Sequence, residues 1–256
     1  MTTARDALRR HLKARWETGD KELFVVRDPA SPARRHAPPP SSPHPAAPTG
    51  RSEGGSGLHA SGILSPANSE RGRSLLAWYE EIKNCTKCPL GSSRVTFVFG
   101  TGNPNAELLF VGEAPGEQED RSGLPFVGLA GQLLTRMLGE QGIRREDVFI
   151  CNVLKCRPPS NRPPAEEEIA QCAPSLAEQI KRIGPKLIVA LGRFAAQTLL
   201  HSDEPVGRLR GRWHPWEGAE LRATYHPSAI LRNPSNRGIL EEDLKIVKER
   251  LASLHV

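Results

Sequence analysis

"LLFVGEAPGEQED", residues 108–120, reads as a strand that runs straight into a loop. Leu108 to Val111 form an unbroken apolar run, the pattern of a strand buried on both faces. Gly112 and Gly116 punctuate the loop. A glycine loop at a strand end often cradles phosphate. This one carries Glu113, Glu117, Glu119 and Asp120, and carboxylates repel an anion. The stretch sets two expectations: a parallel sheet, and a loop built for something other than phosphate.

The same grammar recurs outward from it. "VFICNVL" (148–154), "KLIVALG" (186–192) and "LRATYHP" (221–227) are further short apolar runs. Helical patterns separate them, at about 130–141, 165–182 and 193–201, and a last one spans 237–254 with Leu240, Leu244, Val247 and Leu251 at helical spacing. Another opens the folded region in "LLAWYEEI". Alternating strands and helices predict an α/β fold, a three-layer α/β/α sandwich around a central, mainly parallel four-stranded sheet. In such folds ligands bind beyond the carboxyl ends of the strands. "GEAPGEQED", "CNVLKCRPPSNRPP" and "HPSAILRNP" sit at or after strand ends, so the sheet should bring all three to one cleft.

With 256 residues there is room for one medium domain and an appendage. The domain is expected over 74–256. Residues 1–28 hold a short helical segment with Leu8, Leu12 and Trp16 on one face. Residues 29–73, with runs such as "RRHAPPPSSPHPAAPTGRSEGGSG", form a Pro/Ser/Gly/Arg-rich linker expected to be disordered. Charge is uneven. Residues 1–75 carry 12 Lys/Arg against 7 Asp/Glu, while 76–256 carry 23 against 22. The basic extension suits non-specific contact with a polyanion such as DNA. No apolar run reaches membrane-spanning length, and "MTTARDALRRHLKARW" has no secretory apolar core. A cytoplasmic protein without membrane attachment is expected.

Five cysteines, an odd number without an export signal, argue against a disulfide framework and for a metal or cluster site. "NCTKCPL" supplies Cys85 and Cys88 as a C-x2-C pair. Cys156 in "LKCRPP" and Cys172 in "IAQCAPS" complete four ligands for zinc or an iron–sulfur cluster, and spacing leaves both open. Cys151, inside an apolar strand, reads as a small hydrophobe.

Together, "GEAPGEQEDRSGLPFVGLAGQLL", "CNVLKCRPPSNRPP", "HPSAILRNP" and the four cysteines resemble the family 4 uracil-DNA glycosylases, over roughly Leu75 to Leu251. Glu113 sets the chain apart from family 5, whose first motif lacks that acid. The basic inserted loop of the covalently linking relative has no counterpart. The resemblance implies the α/β/α fold and a [4Fe–4S] cluster on Cys85, Cys88, Cys156 and Cys172, with a cluster loop ahead of "RPPSNRPP". It also implies a monomer acting on uracil-containing DNA. The activity would be hydrolysis of the deoxyuridine N-glycosidic bond, releasing uracil and leaving an abasic site in base-excision repair.

That chemistry needs a flipped base held by an aromatic platform, an edge reader, an anion stabiliser and a placed water. Phe126 is the platform and Asn152 the reader. His226 would donate to uracil O2. Ser228 to Arg232 should press into the DNA, with Ile230 or Leu231 as a wedge. Asn161, with Arg157 and Arg162, would meet phosphates. In the best-studied relatives an Asp places the water. Ala114 stands at that position, so Glu113, Glu119 or the backbone from Gly112 to Ala114 must do so. Glu119 could instead wall the pocket beside uracil C5. Glu117 and Asp120 are expected in solvent or at a helix cap. Two other readings stay open: a non-catalytic iron–sulfur DNA-binding module, and a glycosylase for another deaminated base such as hypoxanthine.

Overall fold

The computed structural model describes residues 69–255. The helical segment expected over 1–28 and the linker up to residue 68 lie outside the described residues. Helix α1, Glu70–Ile82, starts four residues before the boundary expected at 74. Ser69 sets its start, accepting the Gly72 N–H at 3.0 Å as an N-cap. Arg71 also donates to the Ile183 carbonyl at 2.8 Å, so residues 70–73 are packed into the domain.

After α1 come α2 (Leu90–Ser93), β1 (Thr101–Gly102), β2 (Leu108–Gly112), α3 (Glu117–Ser122) and α4 (Leu129–Glu140). The next elements are β3 (Phe149–Asn152), α5 (Glu166–Ile183), β4 (Leu187–Leu191), α6 (Arg193–Leu200) and α7 (Val206–Leu209). The chain ends with β5 (Trp213–Trp216), β6 (Ala219–Thr224), α8 (Pro227–Arg232) and α9 (Arg237–Ser253). The sheet order is β1-β3-β2-β4-β6-β5. The four central strands are the expected ones and run parallel. Two antiparallel edge strands, β1 and β5, extend the sheet to six.

Strand residues alternate between two cores, as the period of two demands. Leu109, Val111, Ile188, Ala190, Leu221 and Ala223 face a cluster shared with Leu75 of α1, Ile180 of α5 and Leu199 of α6. Leu108, Phe110, Leu187, Val189 and Leu191 face the other side, against Leu134 and Met137 of α4 and Leu240, Leu244 and Val247 of α9. These are the three layers.

One polar tie crosses the second interface. Asp243 of α9, fully buried, accepts from Arg222 Nε at 3.0 Å and Nη2 at 2.7 Å, and from Thr224 Oγ1 at 2.6 Å. Arg210 adds a longer contact at 3.3 Å. Arg222 and Thr224 sit at the end of β6, just before His226, so this tie fixes the strand that delivers the histidine. Removing one partner of a buried pair leaves an uncompensated charge and costs about 3–5 kcal/mol. Asp243→Ala should therefore lower the urea midpoint by that equivalent, with an unchanged denaturant slope.

Candidate functional site

The parallel pairing of β2 with β3 sets Gly112 directly beside Asn152. Pairing runs on past the strand ends: Val153 N–H donates to the Gly112 carbonyl at 2.9 Å and Leu154 N–H to that of Glu113 at 3.0 Å. Gly112 is forced by close approach. A Cβ there would lie 2.4 Å from Asn152 Oδ1 and 2.5 Å from the Phe126 ring. Asn152 is 2% exposed, and its side-chain oxygen has no hydrogen-bond partner among the described residues. A buried acceptor left open in a folded protein asks for a donor.

His226 arrives from the other side of the sheet. It caps α8 at the end of β6. Gly192, at φ 88°, ends β4 beneath it, where a Cβ would come within 2.9 Å of the His226 Cβ. The His226 and Phe126 rings lie 5.4 Å apart, tilted by 34°. His226 Nδ1 accepts from Ser228 N–H at 3.1 Å and lies 2.9 Å from Ser228 Oγ. The proton of a neutral ring is thereby placed on Nε2. Burial, helped by the Arg232 charge, lowers the imidazole pKa to about 4. The ring is a neutral donor at neutral pH. Ser228, expected at the substrate, is tied to the histidine.

The acidic loop divides by partner. The Glu113 carboxyl makes no hydrogen bond among the described residues, and burial pushes it above the usual range against the opposing charges of Arg193 and Arg232. Glu119 differs. Its Oε1 accepts from Val127 N–H at 2.9 Å and Gly128 N–H at 2.8 Å, and its Oε2 from Gly116 N–H at 3.1 Å. Both Glu119 oxygens thus hold backbone, and the side chain acts as a clamp on the turn around Phe126. Asp120, expected in solvent or at a cap, is buried and accepts from Val95 and Thr96 N–H at 3.0 and 3.3 Å. Glu117 is exposed and paired with Arg121.

The clamp on Phe126 has a second jaw that the sequence did not announce. Phe126 sits at φ 54°, an unfavourable conformation for a bulky residue. Arg145 donates to the Pro125 carbonyl at 2.9 Å and to Thr135 Oγ1 at 2.6 Å. Arg145 and Glu119 thus grip the turn before and after the ring. Local strain of this kind persists only where the surroundings over-determine it.

The remaining expected residues spread around the rim. Arg232 is exposed, and its charge reaches both Glu113 and His226. Arg193, at the start of α6, was not anticipated. Ile230 is 4% exposed and packs in the core, whereas Leu231 is 48% exposed. Asn161 lies on an exposed turn at φ 53°, its oxygen accepting from Arg157 Nε at 2.8 Å. Arg162 is held by Glu168 in a two-bonded pair at 2.9 and 2.5 Å. Ala114 is partly buried against the core beside Glu113.

Cys85, Cys88, Cys156 and Cys172 line one small cavity between α1, α2, α5 and the loop after β3. Arg94 Nη1 lies 3.2 Å from Cys156 Sγ and also holds the Cys85 carbonyl at 2.6 Å. Burial raises the Cys172 thiol to about 11 when no metal is counted. Cys151 stays apart, fully buried in the core. Among the described residues no group of three or more His, Cys, Asp or Glu side chains is arranged to hold a metal ion.

Gly112, the open amide of Asn152, the Phe126 ring and the neutral His226 thus come together at the strand ends of the α/β sheet. Residues 99–252 match the Uracil DNA glycosylase superfamily, and the chain belongs to it. Within it, the chain falls in the type-4 branch. It is 48% identical over 183 residues to a type-4 uracil-DNA glycosylase of Saccharolobus solfataricus, covering 68% of this chain and 85% of that one. It is 49% identical over 173 residues to the type-4 enzyme of Thermotoga maritima, 66% of this chain and 90% of that one. A type-5 enzyme of Pyrobaculum aerophilum is more distant, 30% identical over 216 residues, 69% and 93% of the two chains.

Glu119 makes three backbone hydrogen bonds from a buried carboxylate, and an unsatisfied buried group costs about 1–3 kcal/mol. Glu119→Ala should lower stability by that order and open the Gly123–Gly128 turn to limited proteolysis. Cleavage as slow as in the wild type would contradict the clamp.

Proposed function

We propose that this protein is a uracil-DNA glycosylase of base-excision repair. The observation that carries the reading is the buried, partnerless Oδ1 of Asn152 beside Gly112. Uracil N3–H is a donor and O4 an acceptor, matching the two ends of one carboxamide. Cytosine presents the reverse pattern and would leave buried groups unpaired. Phe126 stacks on the base, worth about 1–3 kcal/mol. The names of the relatives and their coverage support the same substrate.

In the reaction the C1′–N1 bond breaks and its electron pair leaves on uracil. His226 Nε2–H donates to O2, where the negative charge collects. A neutral ring suits this: it stabilises the anion without surrendering its proton. Water adds at C1′ and yields its proton to Glu113, which has no competing hydrogen bond and holds a raised affinity for protons. The same carboxylate, while ionised, stabilises positive charge on the sugar.

The cysteine cavity fits a [4Fe–4S] cluster. Its support is the donor set: four thiols line one space, with Arg94 against one sulfur. Bound there, the cluster would join α1, α5 and the loop after β3. Its role is to brace the loop beyond Asn152.

The partner is uracil-containing DNA, met by a monomer. Leu231 fills the space left by the flipped base, and Arg232, Arg193 and Arg157 approach the backbone. The basic segment before residue 69 adds non-specific phosphate contacts. A cytoplasmic location is supported by the five unpaired cysteines. No described helix is long and apolar enough to cross a membrane.

Incubation with a uracil-containing oligonucleotide, then alkali, should cut the strand at the former uracil. Asn152→Ala should abolish the cut while leaving DNA binding intact. An uncut strand with wild-type protein would sink the reading in favour of a binding module, and cutting only at hypoxanthine would shift it to another lesion. His226→Ala should lower kcat by about 10²- to 10³-fold. Because its pKa is lowered to about 4, His226 is neutral throughout the upper range. The wild-type to His226→Ala rate ratio should stay flat from pH 8 to pH 5 and change only on approach to pH 4.

A further inference from the structure

Lys155 stands between the two centres of this chain. It lies three residues beyond Asn152 and immediately precedes Cys156. It is 1% exposed, the one lysine buried to that degree among the described residues. Its ammonium donates to the Asn152 carbonyl at 2.9 Å and to Gln179 Oε1 at 2.6 Å. Gln179, itself wholly buried, donates onward to the Phe99 carbonyl at 3.0 Å. None of these partners carries a charge.

That is an anomaly. A buried charge needs an opposite charge beside it, as Arg222 has in Asp243. No carboxylate among the described residues pairs with Lys155. What surrounds it is sulfur. Lys155 lines the same cavity as Cys85, Cys88, Cys156 and Cys172, and its backbone N–H and its charge both act on Cys172. Lys87 lines the cavity as well, and Arg94 touches Cys156 Sγ, its other partners being the Cys85 and Lys83 carbonyls. Thiolates holding an iron–sulfur centre are anionic overall, and nearby charges and hydrogen bonds tune such a centre.

We propose that Lys155 is a positioning residue that couples the cysteine-bound cluster to the base-reading amide. One ammonium serves both: it is a counter-cation of the cluster and the tie that holds the Asn152 backbone at the end of β3. Loss of the cluster strands this charge without an anion. The ammonium then moves toward water and releases Asn152, so recognition of uracil depends on the cluster without any electron being transferred. The inference rests on the reading of the cysteine cavity as a cluster site.

The test uses the full-length holoprotein. Wild type must first show bound iron and thiolate-to-iron absorbance; a colourless zinc protein would undo the cluster reading itself, before any variant is made. Lys155→Met keeps the length and removes the charge. At wild-type iron content it should shift the cluster potential to more negative values and lower kcat/KM on a uracil oligonucleotide by about 10- to 100-fold. Lys155→Arg should recover part of both. An unchanged potential or an unchanged kcat/KM overturns the coupling. If Lys155→Met does not accumulate as a folded holoprotein, wild type answers alone. Stripping its iron should speed amide exchange at 149–153 while 187–191 stay protected. Uniform loss at both strands, or no change at 149–153, also overturns it.

Discussion

The site depends on one missing side chain. Gly112 ends β2 in register with Asn152 at the end of β3, and no methyl group fits between the Asn152 amide and the Phe126 ring. Two strands must run parallel and stop level for this to happen. The Phe126 ring and the Asn152 amide then share one floor. His226 reaches it from β6 by the same logic, over a second glycine at the end of β4. The parallel sheet is therefore the device that lines up functional groups from residues 112, 126, 152 and 226. The Asp243 tie keeps its far strand in place.

Within that frame, environment assigns different work to like residues. Glu113, Glu119 and Asp120 come from one short loop. Glu113 is half-buried, and its carboxyl holds no hydrogen bond among the described residues. Glu119 binds three backbone N–H groups and, with Arg145, holds Phe126 in its strained turn. Asp120 fastens the segment just past the first cysteine pair. A carboxylate loop that looks hostile to an anion is largely neutralised by backbone amides, leaving one acid free. Burial has the matching effect on His226, which stays uncharged.

Strands β2 and β4 were legible because fully buried parallel strands are unbroken apolar runs, while β6 carries Arg222 and Thr224 within it. The edges were not. β1 has two residues, and β5 is "WHPW", half-buried with a proline inside, which carries no strand signal. Helices α3 and α8 are six residues each and hide inside motif loops. Phe126, Asn152 and His226 stood out through motif context. The roles of Glu119 and Asp120 did not, since their partners lie up to 25 residues away and are backbone groups. Arg145 and Lys155 read as ordinary basic residues in sequence, and only burial distinguishes them. The two wedge candidates, Ile230 and Leu231, are adjacent and alike; helix phase alone turns one inward and one outward.

The direct test of base reading by Asn152 is a crystal structure with an oligonucleotide carrying 2′-fluoro-deoxyuridine, which resists cleavage because the fluorine disfavours a cationic sugar. The expected density shows the uracil flipped onto Phe126, Asn152 Oδ1 within hydrogen-bond distance of N3 and Nδ2 within the same reach of O4. A flipped uracil seated elsewhere, with Asn152 Oδ1 still unpartnered beside Gly112, would contradict it.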